Sequence, residues 1–248
     1  GYRAARPKTP PSAYSSAVLA SKPDVYWRLD DLEGPQALDA VRGKGLGQFE
    51  TQIAYYMPGP QSPAFPGLEA DNRAPHFVGQ RLAARIPGLG QRYTVELWFY
   101  NCMPTDAREV TGYLFSRGPA GDAAPGEHLA VGGKQCGAGK LIFHTGSDPA
   151  KALAGTTGVP QRNWVPQESW HHVALVRDGT RVTVYLDGRS QPEISNPAAS
   201  PASGEEVFLG GRSDGRFNFE GRIDEAAVYL RPLPADELQK HYRAATEE

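Results

Sequence analysis

The side chains of this 248-residue chain that could do chemistry are the carboxylates Glu96, Asp224 and Glu225 and the neighbouring imidazoles His171 and His172. Cleaving a glycosidic bond takes two carboxyl groups that flank it, about 5–5.5 Å apart when configuration is retained. Asp224 and Glu225 are consecutive in a stretch that reads as a strand, where alternation predicts opposite faces and no shared substrate. The same alternation splays His171 from His172, and His76, His128, His144 and His241 are scattered along the chain. Neither His-Glu-x-x-His nor Gly-x-x-x-x-Gly-Lys-Ser/Thr is present, so the sequence displays no zincin site and no phosphate loop. Glu96 lies in Tyr93–Tyr100, a run apolar on nearly both faces, so it is expected to be buried against a structural partner. A catalytic role for Glu96 is the alternative.

Other residues suit binding rather than reaction. Tyr55 and Tyr56, with Phe65, fall in Thr51–Pro75, where Pro58, Pro60, Pro63, Pro66 and Pro75 oppose ladder pairing and predict a long loop. The two tyrosines could stack on a sugar ring or cover a sheet edge, and both readings stand. Arg162-Asn163-Trp164 joins an indole face to guanidinium and amide donors, which suits a sugar's hydroxyls. The same tryptophan would equally well plug a core. Asp39 precedes the glycine-rich Gly43-Lys44-Gly45-Leu46-Gly47, whose backbone can turn carbonyls toward one point. It is no EF-hand, because Lys44 stands where that loop requires glycine, and no dinucleotide fingerprint, because the third glycine is missing.

These residues need a scaffold, and Glu168–Gly188 supplies the strongest local signal for one. Its alternating Val, Leu, Thr and Tyr predict a hairpin turning at Asp178-Gly179, with Val173 facing Val184, Leu175 facing Val182 and His171 facing Leu186. A lone hairpin is marginal in water, so it must pack between further strands. Tyr93–Tyr100, Val207–Gly211 and Phe219–Leu230 are the long candidates, with shorter strands at His76–Val78, Arg81–Ile86, Tyr113–Ser116, His128–Val131 and Leu141–His144. Ser12–Ser21 predicts a short helix with Val18 and Leu19 turned inward, and Ala235–Tyr242 another with Leu238 and Tyr242 on one face.

With 40% hydrophobic residues the chain can build a sizeable core, and 28 glycines with 22 prolines suit many turns. The net charge of −2 gives no electrostatic case for nucleic acid or an anionic membrane. No run approaches the ~20 apolar residues of a membrane span. Gly1–Ala13, which mixes Arg3, Arg6 and Lys8 with prolines, reads as an extended linker, and with the start at Gly1 it implies an upstream domain. Cys102 and Cys136 are compatible with one disulfide or with two unpaired thiols.

Val25–Leu29 (VYWRL), Asp39–Gly47 (DAVRGKGLG), Trp170–Gly188, Gly221–Tyr229 (GRIDEAAVY) and Leu233–Tyr242 (LPADELQKHY), in that order, resemble the successive landmarks of laminin G-like domains within the concanavalin A-like lectin/glucanase fold. The resemblance implies an all-β, antiparallel two-sheet β-sandwich, a jelly roll with short peripheral helices. One domain would span residues 14–248 after a linker at 1–13. Laminin G-like domains often carry a structural calcium ion, and the matching ligands would be Asp39, Gly45 through its carbonyl, and Asp224. Otherwise Asp39 starts a turn and Asp224 forms a salt bridge. Laminarinase-type glucanases of this fold carry Glu-x-Asp-x-x-Glu on one strand, and that pattern is absent here. The resemblance therefore implies a non-catalytic module of an exported, extracytoplasmic protein. Its ligand would be a glycan first and a protein second, with no nucleic acid and no membrane insertion. A polysaccharide-active enzyme is the third reading.

Overall fold

The structure is a computed structural model that describes residues 11–43, 45–121, 125–158, 170–198 and 204–247. Two eight-stranded antiparallel sheets face each other across a shared core. The first runs Ile194–Pro197 (β14), Arg181–Leu186 (β13), Trp170–Asp178 (β12), Arg92–Asn101 (β7), Glu220–Tyr229 (β16), Arg73–Val78 (β5) and Ala54–Pro58 (β4), with Val25–Trp27 (β1) also paired to β16. The second runs Leu153–Gly158 (β11), Lys140–Thr145 (β10), Glu127–Gly132 (β9), Val110–Arg117 (β8), Glu206–Leu209 (β15), Leu82–Arg85 (β6), Gly45–Phe49 (β3) and Gln36–Leu38 (β2). The β1–β16 pairing, Val25 opposite Val228, joins the two ends of the described chain.

Strand periodicity accounts for the layers. Val95, Leu97 and Phe99 of β7 point inward with Val173 and Leu175 of β12, and meet Leu129, Leu141 and Phe143 from the other sheet. The alternate residues Trp98 and Tyr100 point outward, where helices Ala13–Ala20 (α1) and Ala235–Thr246 (α2) and the loop carrying Phe65 cover them. The Trp98 ring meets Tyr14 and Phe65 edge-on, at 5.9 and 5.0 Å, and stacks on Tyr242 at 5.7 Å. Each such side chain contributes about 1.5–3 kcal/mol when fully buried. That double burial is why β7 is apolar on both faces, as its sequence predicts.

Local details differ from expectation. The hairpin pairs Val173 with Leu186, Leu175 with Val184 and Asp178 with Arg181, so Gly179-Thr180 forms the turn and Gly179 takes φ 60°. The slip is two residues, which keeps every side chain on its predicted face. Val18 is buried as expected, but Leu19 is 37% exposed. Thr51–Pro75 is not one loop: β4 and the first half of β5 lie inside it. Pro58 closes β4, an edge strand where proline is tolerated, and β5 meets β16 through His76, Phe77 and Val78, beyond Pro75. Cys102 and Cys136 are not joined in a disulfide. Cys102 packs against the outer face of the first sheet and Cys136 against the outer face of the second, so strand pairing does not unite them. The basic residues Arg3, Arg6 and Lys8 lie outside the described residues.

Candidate functional site

An open cleft of about 620 Å³ lies where the ends of β3, the β5–β6 turn and the turn before β16 meet. Gln48, Thr51 and Gln80 line it with amide and hydroxyl groups, and Phe49 beside them is buried in the core. The charged residues of the cleft are Glu50 and Arg81, and they neutralise each other. Glu50 Oε1 accepts from Arg81 Nε at 3.0 Å and Nη2 at 2.6 Å, while Glu50 Oε2 accepts from the Arg81 backbone N–H at 3.1 Å. The Glu50 N–H in turn donates to the Arg81 carbonyl at 2.8 Å. Arg81 is further fixed by its Nη1, which donates to the Arg212 carbonyl, and by the Phe208 ring 4.5 Å beneath its guanidinium. Asn218 closes the far wall, its Nδ2 donating to the Gly79 carbonyl at 2.8 Å. None of these polar residues stood out in the sequence. A cleft whose ion pair joins residues thirty-one apart, and whose far wall comes from Asn218, leaves no spacing to read.

Neither Tyr55 nor Tyr56 lines this cleft, and the two do not form a pair. Tyr55 is half-buried and packs edge-on against Phe49 at 5.3 Å, so it supports a core residue that borders the cleft. Burial first and the nearby Asp31 second raise its phenol pKa. Tyr56 is 46% exposed, with φ 62°, and the Arg73 guanidinium lies over its ring at 5.0 Å. Arg162, Asn163 and Trp164 lie outside the described residues. A smaller hollow of about 170 Å³ beside β10 and β11 is walled by apolar Phe143, Leu153, Pro197 and Ala198.

The carboxylates are arranged differently from the prediction. Asp224 and Glu225 do not point to opposite faces: the strand bulges between Asp224 and Ala227, Glu225 takes φ 50°, and both side chains turn outward. Asp224 Oδ2 accepts from Asn72 Nδ2 at 2.7 Å. Glu225 accepts from the Tyr26 hydroxyl and from Arg28, whose Nη2 also reaches Glu69 at 2.6 Å. Burial raises both carboxyls, Asp224 well above its ordinary range and Glu225 to about 7, with mutual repulsion adding to the rise of Asp224. The histidines do splay as predicted. His171 Nδ1 meets Asp187 at 2.9 Å, and His172 Nε2 meets Glu96 at 3.1 Å on the other side.

Glu96 is fully buried and has the structural partners expected of it: His172, His241 at 2.9 Å and the Tyr229 hydroxyl at 2.5 Å. His241 Nε2 lies 2.8 Å from Ser21 Oγ, so Ser21, His241 and Glu96 are strung together like a hydrolase triad. The Ser21 backbone N–H, however, is bonded to the carbonyls of Ala17 and Val18 at the end of α1 and offers nothing to an oxyanion. The array ties α1 and α2 to the sheet. Gly211-Arg212-Ser213-Asp214-Gly215 carries the letters of a nucleophile elbow, yet the turn leads into β16 rather than a helix. Arg212 and Asp214 close that turn at 2.6 Å, and Ser213 is buried.

The calcium expectation rests on Asp39, Gly45 and Asp224. Asp39 Oδ1 accepts from the N–H groups of Tyr26 and Val41, each at 3.0 Å, and Gly45 pairs with Leu38 beside it. Asp39 Oδ2 and Asp224 Oδ1 are buried without a hydrogen-bond partner, the donor type a hard cation takes. Among the described residues no three His, Cys, Asp or Glu side chains are grouped to hold a metal. No helix among them is long and apolar enough to cross a membrane.

Residues 80–239 match the family model Laminin_G_3, described as concanavalin A-like lectin/glucanases superfamily. No curated protein matches the chain in sequence. Among solved structures, the chain is similar to domain 4 of AbnA, a GH43 extracellular arabinanase from Geobacillus stearothermophilus, in complex with arabinotriose. That match has 21% identity and a TM-score of 0.58, over 89% of this chain and 98% of the other. It is also similar to the botulinum neurotoxin type G receptor binding domain, with 11% identity and a TM-score of 0.56 over 89% of this chain and 51% of that one. The binding domain of Paraclostridial Mosquitocidal Protein 1 gives 11% identity and a TM-score of 0.61 over 91% and 53%. The chain thus spans about half of each of these two toxin domains. At such identities the likeness is one of fold.

Proposed function

The chain belongs to the Laminin_G_3 family of the concanavalin A-like lectin/glucanases superfamily, and on that footing we propose a non-catalytic recognition domain whose ligand is a glycan held in the cleft beside Arg81. The observation that carries the reading is the cleft itself, lined by the amides of Gln48 and Gln80 and the hydroxyl of Thr51. Such side chains can both donate to and accept from sugar hydroxyls. The arabinanase domain, solved with arabinotriose, supports a saccharide ligand on this fold. The paired carboxyls Asp224 and Glu225 are buried beneath Asn72 and Arg28 rather than open to a substrate, which favours binding over hydrolysis. We place the domain outside the cytoplasm, joined to an upstream domain, and with one structural calcium ion drawing on Asp39 and Asp224. No step of recognition runs through that ion.

The test is isothermal titration with arabinotriose and a panel of neutral oligosaccharides. Gln80→Ala should weaken any binding at least tenfold with an unchanged melting temperature. Equal binding by a Gln48→Ala/Gln80→Ala protein would move the site elsewhere. A second reading, a protein-binding domain, is supported by the exposed apolar side chains Tyr56, Met57 and Val78 on β4 and β5. It would be favoured by silence across the whole panel.

A further inference from the structure

Building on the glycan reading, we propose that the cleft selects neutral saccharides and rejects anionic ones, and that Glu50 is the residue that sets this choice. An unpaired arginine in a sugar site is a ready carboxylate receptor, because its planar fork grips two oxygens at once. Here the fork is already occupied. Arg81 Nε and Nη2 both donate to Glu50 Oε1, and Nη1 donates to the Arg212 carbonyl. Phe208 covers the guanidinium face. The Glu50 carboxylate also accepts from the Arg81 backbone N–H through Oε2, and the Glu50 backbone N–H donates to the Arg81 carbonyl, so the pair is fixed through side chain and main chain together.

Exposure decides which charge a ligand meets. The Glu50 side chain is 31% exposed and that of Arg81 15%, so the carboxylate is the more solvent-facing member of the pair. A uronic or sialic acid would therefore bring its negative charge toward another, with the compensating cation behind it. Neutral sugars have no such charge to accommodate. They use the amides of Gln48 and Gln80 and the hydroxyl of Thr51, and can donate hydroxyls to the carboxylate.

The experiment compares a neutral trisaccharide that binds the wild-type domain with trigalacturonate, reading the ratio of their affinities at low salt. The wild type should favour the neutral sugar at least tenfold. In Glu50→Gln, checked for folding by its melting curve, the negative charge facing the ligand is gone and Arg81 is no longer neutralised, so the ratio should move at least tenfold toward trigalacturonate. Because repulsion between partly exposed charges is screened over a Debye length of ~10 Å at 0.1 M salt, the wild-type preference should also narrow as salt is raised. That titration needs no variant. A wild-type ratio near one, a salt-independent ratio, or an unchanged ratio in folded Glu50→Gln would each overturn the selection while leaving the glycan site standing. Failure of every neutral sugar to bind would instead remove the glycan reading, and this inference with it.

Discussion

Glu225 follows Asp224 on the same outward face of β16, where Arg28 Nη2 reaches Glu225 at 2.9 Å and Asn72 Nδ2 reaches Asp224 at 2.7 Å. Two consecutive residues of a regular strand cannot do this. The bulge before Ala227 and the positive φ of Glu225 supply the extra residue that restores alternation afterwards, with Ala226 inward and Ala227 outward.

That relationship makes stability depend on pH. Burial raises Glu225 from an ordinary 4.5 to about 7, so the folded state holds this proton more tightly than the unfolded chain. The associated stabilisation is complete below about pH 4.5 and is lost as pH rises through about 7. Each pKa unit is about 1.4 kcal/mol, so the loss is on the order of 3 kcal/mol. Glu225→Gln, which cannot ionise, should lose less stability than the wild type across that interval. Parallel melting curves for the two proteins would refute the assignment.

The Glu96 clamp should titrate in the other direction. Burial pushes Glu96 up, but His241 and His172 more than offset it and hold the carboxyl below its ordinary 4.5. Burial lowers His241, and Glu96 reverses this to a net rise above 6.5. The carboxylate's contribution fades as pH falls below 4.5, and the imidazolium's as pH rises through its raised value. The clamp is therefore whole between 4.5 and 6.5. His241→Asn should cost most stability inside that window. Glu96→Ala, which leaves the buried imidazoles without their acceptor, should cost about 3–5 kcal/mol in urea unfolding.

The clamp partners show where sequence reading succeeds and where it stops. That Glu96 must have buried partners follows from its place in YTVELWFY, and β7 is central for the same reason. Which partners it has does not follow, because His241 comes from a helix 145 residues away. The hairpin slip is similar. Asp178-Gly179 and Gly179-Thr180 are both acceptable turns, and a shift of two residues moves no side chain between faces, so hydrophobic pattern cannot choose between them. The cleft is hidden for a third reason. Its polar residues are of ordinary surface type and acquire meaning only when β3 and the β5–β6 turn are brought together.

Tyr55 and Tyr56 should separate on mutation. Tyr55→Ala removes the ring that supports Phe49 and should cost about 1–3 kcal/mol, with ligand affinity falling alongside stability, whereas Tyr55→Phe keeps the contact and should bind normally. Tyr56→Ala, at an exposed ring, should change stability by less than about 0.5 kcal/mol. Thermal melts paired with titration of the same oligosaccharide read both effects. Loss of affinity in Tyr55→Phe at full stability would restore Tyr55 as a direct ligand contact.

The cysteines should behave as two independent thiols. Cys136 is buried, its Sγ donates to the Glu109 carbonyl at 3.0 Å, and burial raises its pKa, so it should resist alkylation in the folded protein. Cys102, half-buried, should react first. Mass spectrometry should find two added labels after unfolding without reductant. A protein that takes up none until a reductant is present would contain the disulfide that this arrangement does not make.

Calcium has a separate signature. Asp39 Oδ2 and Asp224 Oδ1 are carboxylate oxygens buried without a donor, and an unmatched buried acceptor lowers stability unless a proton or a cation meets it. If a cation does so, added calcium should raise the melting temperature by linkage and EDTA should lower it. Asp39→Asn should abolish the response, because an amide binds the ion more weakly than a carboxylate. A proton at Asp224 predicts something else: no response to either reagent, and a melting temperature that falls with rising pH, since burial raises that carboxyl well above 3.8. Melting curves with calcium and with EDTA at two pH values therefore decide whether a metal ion or a proton balances this buried charge.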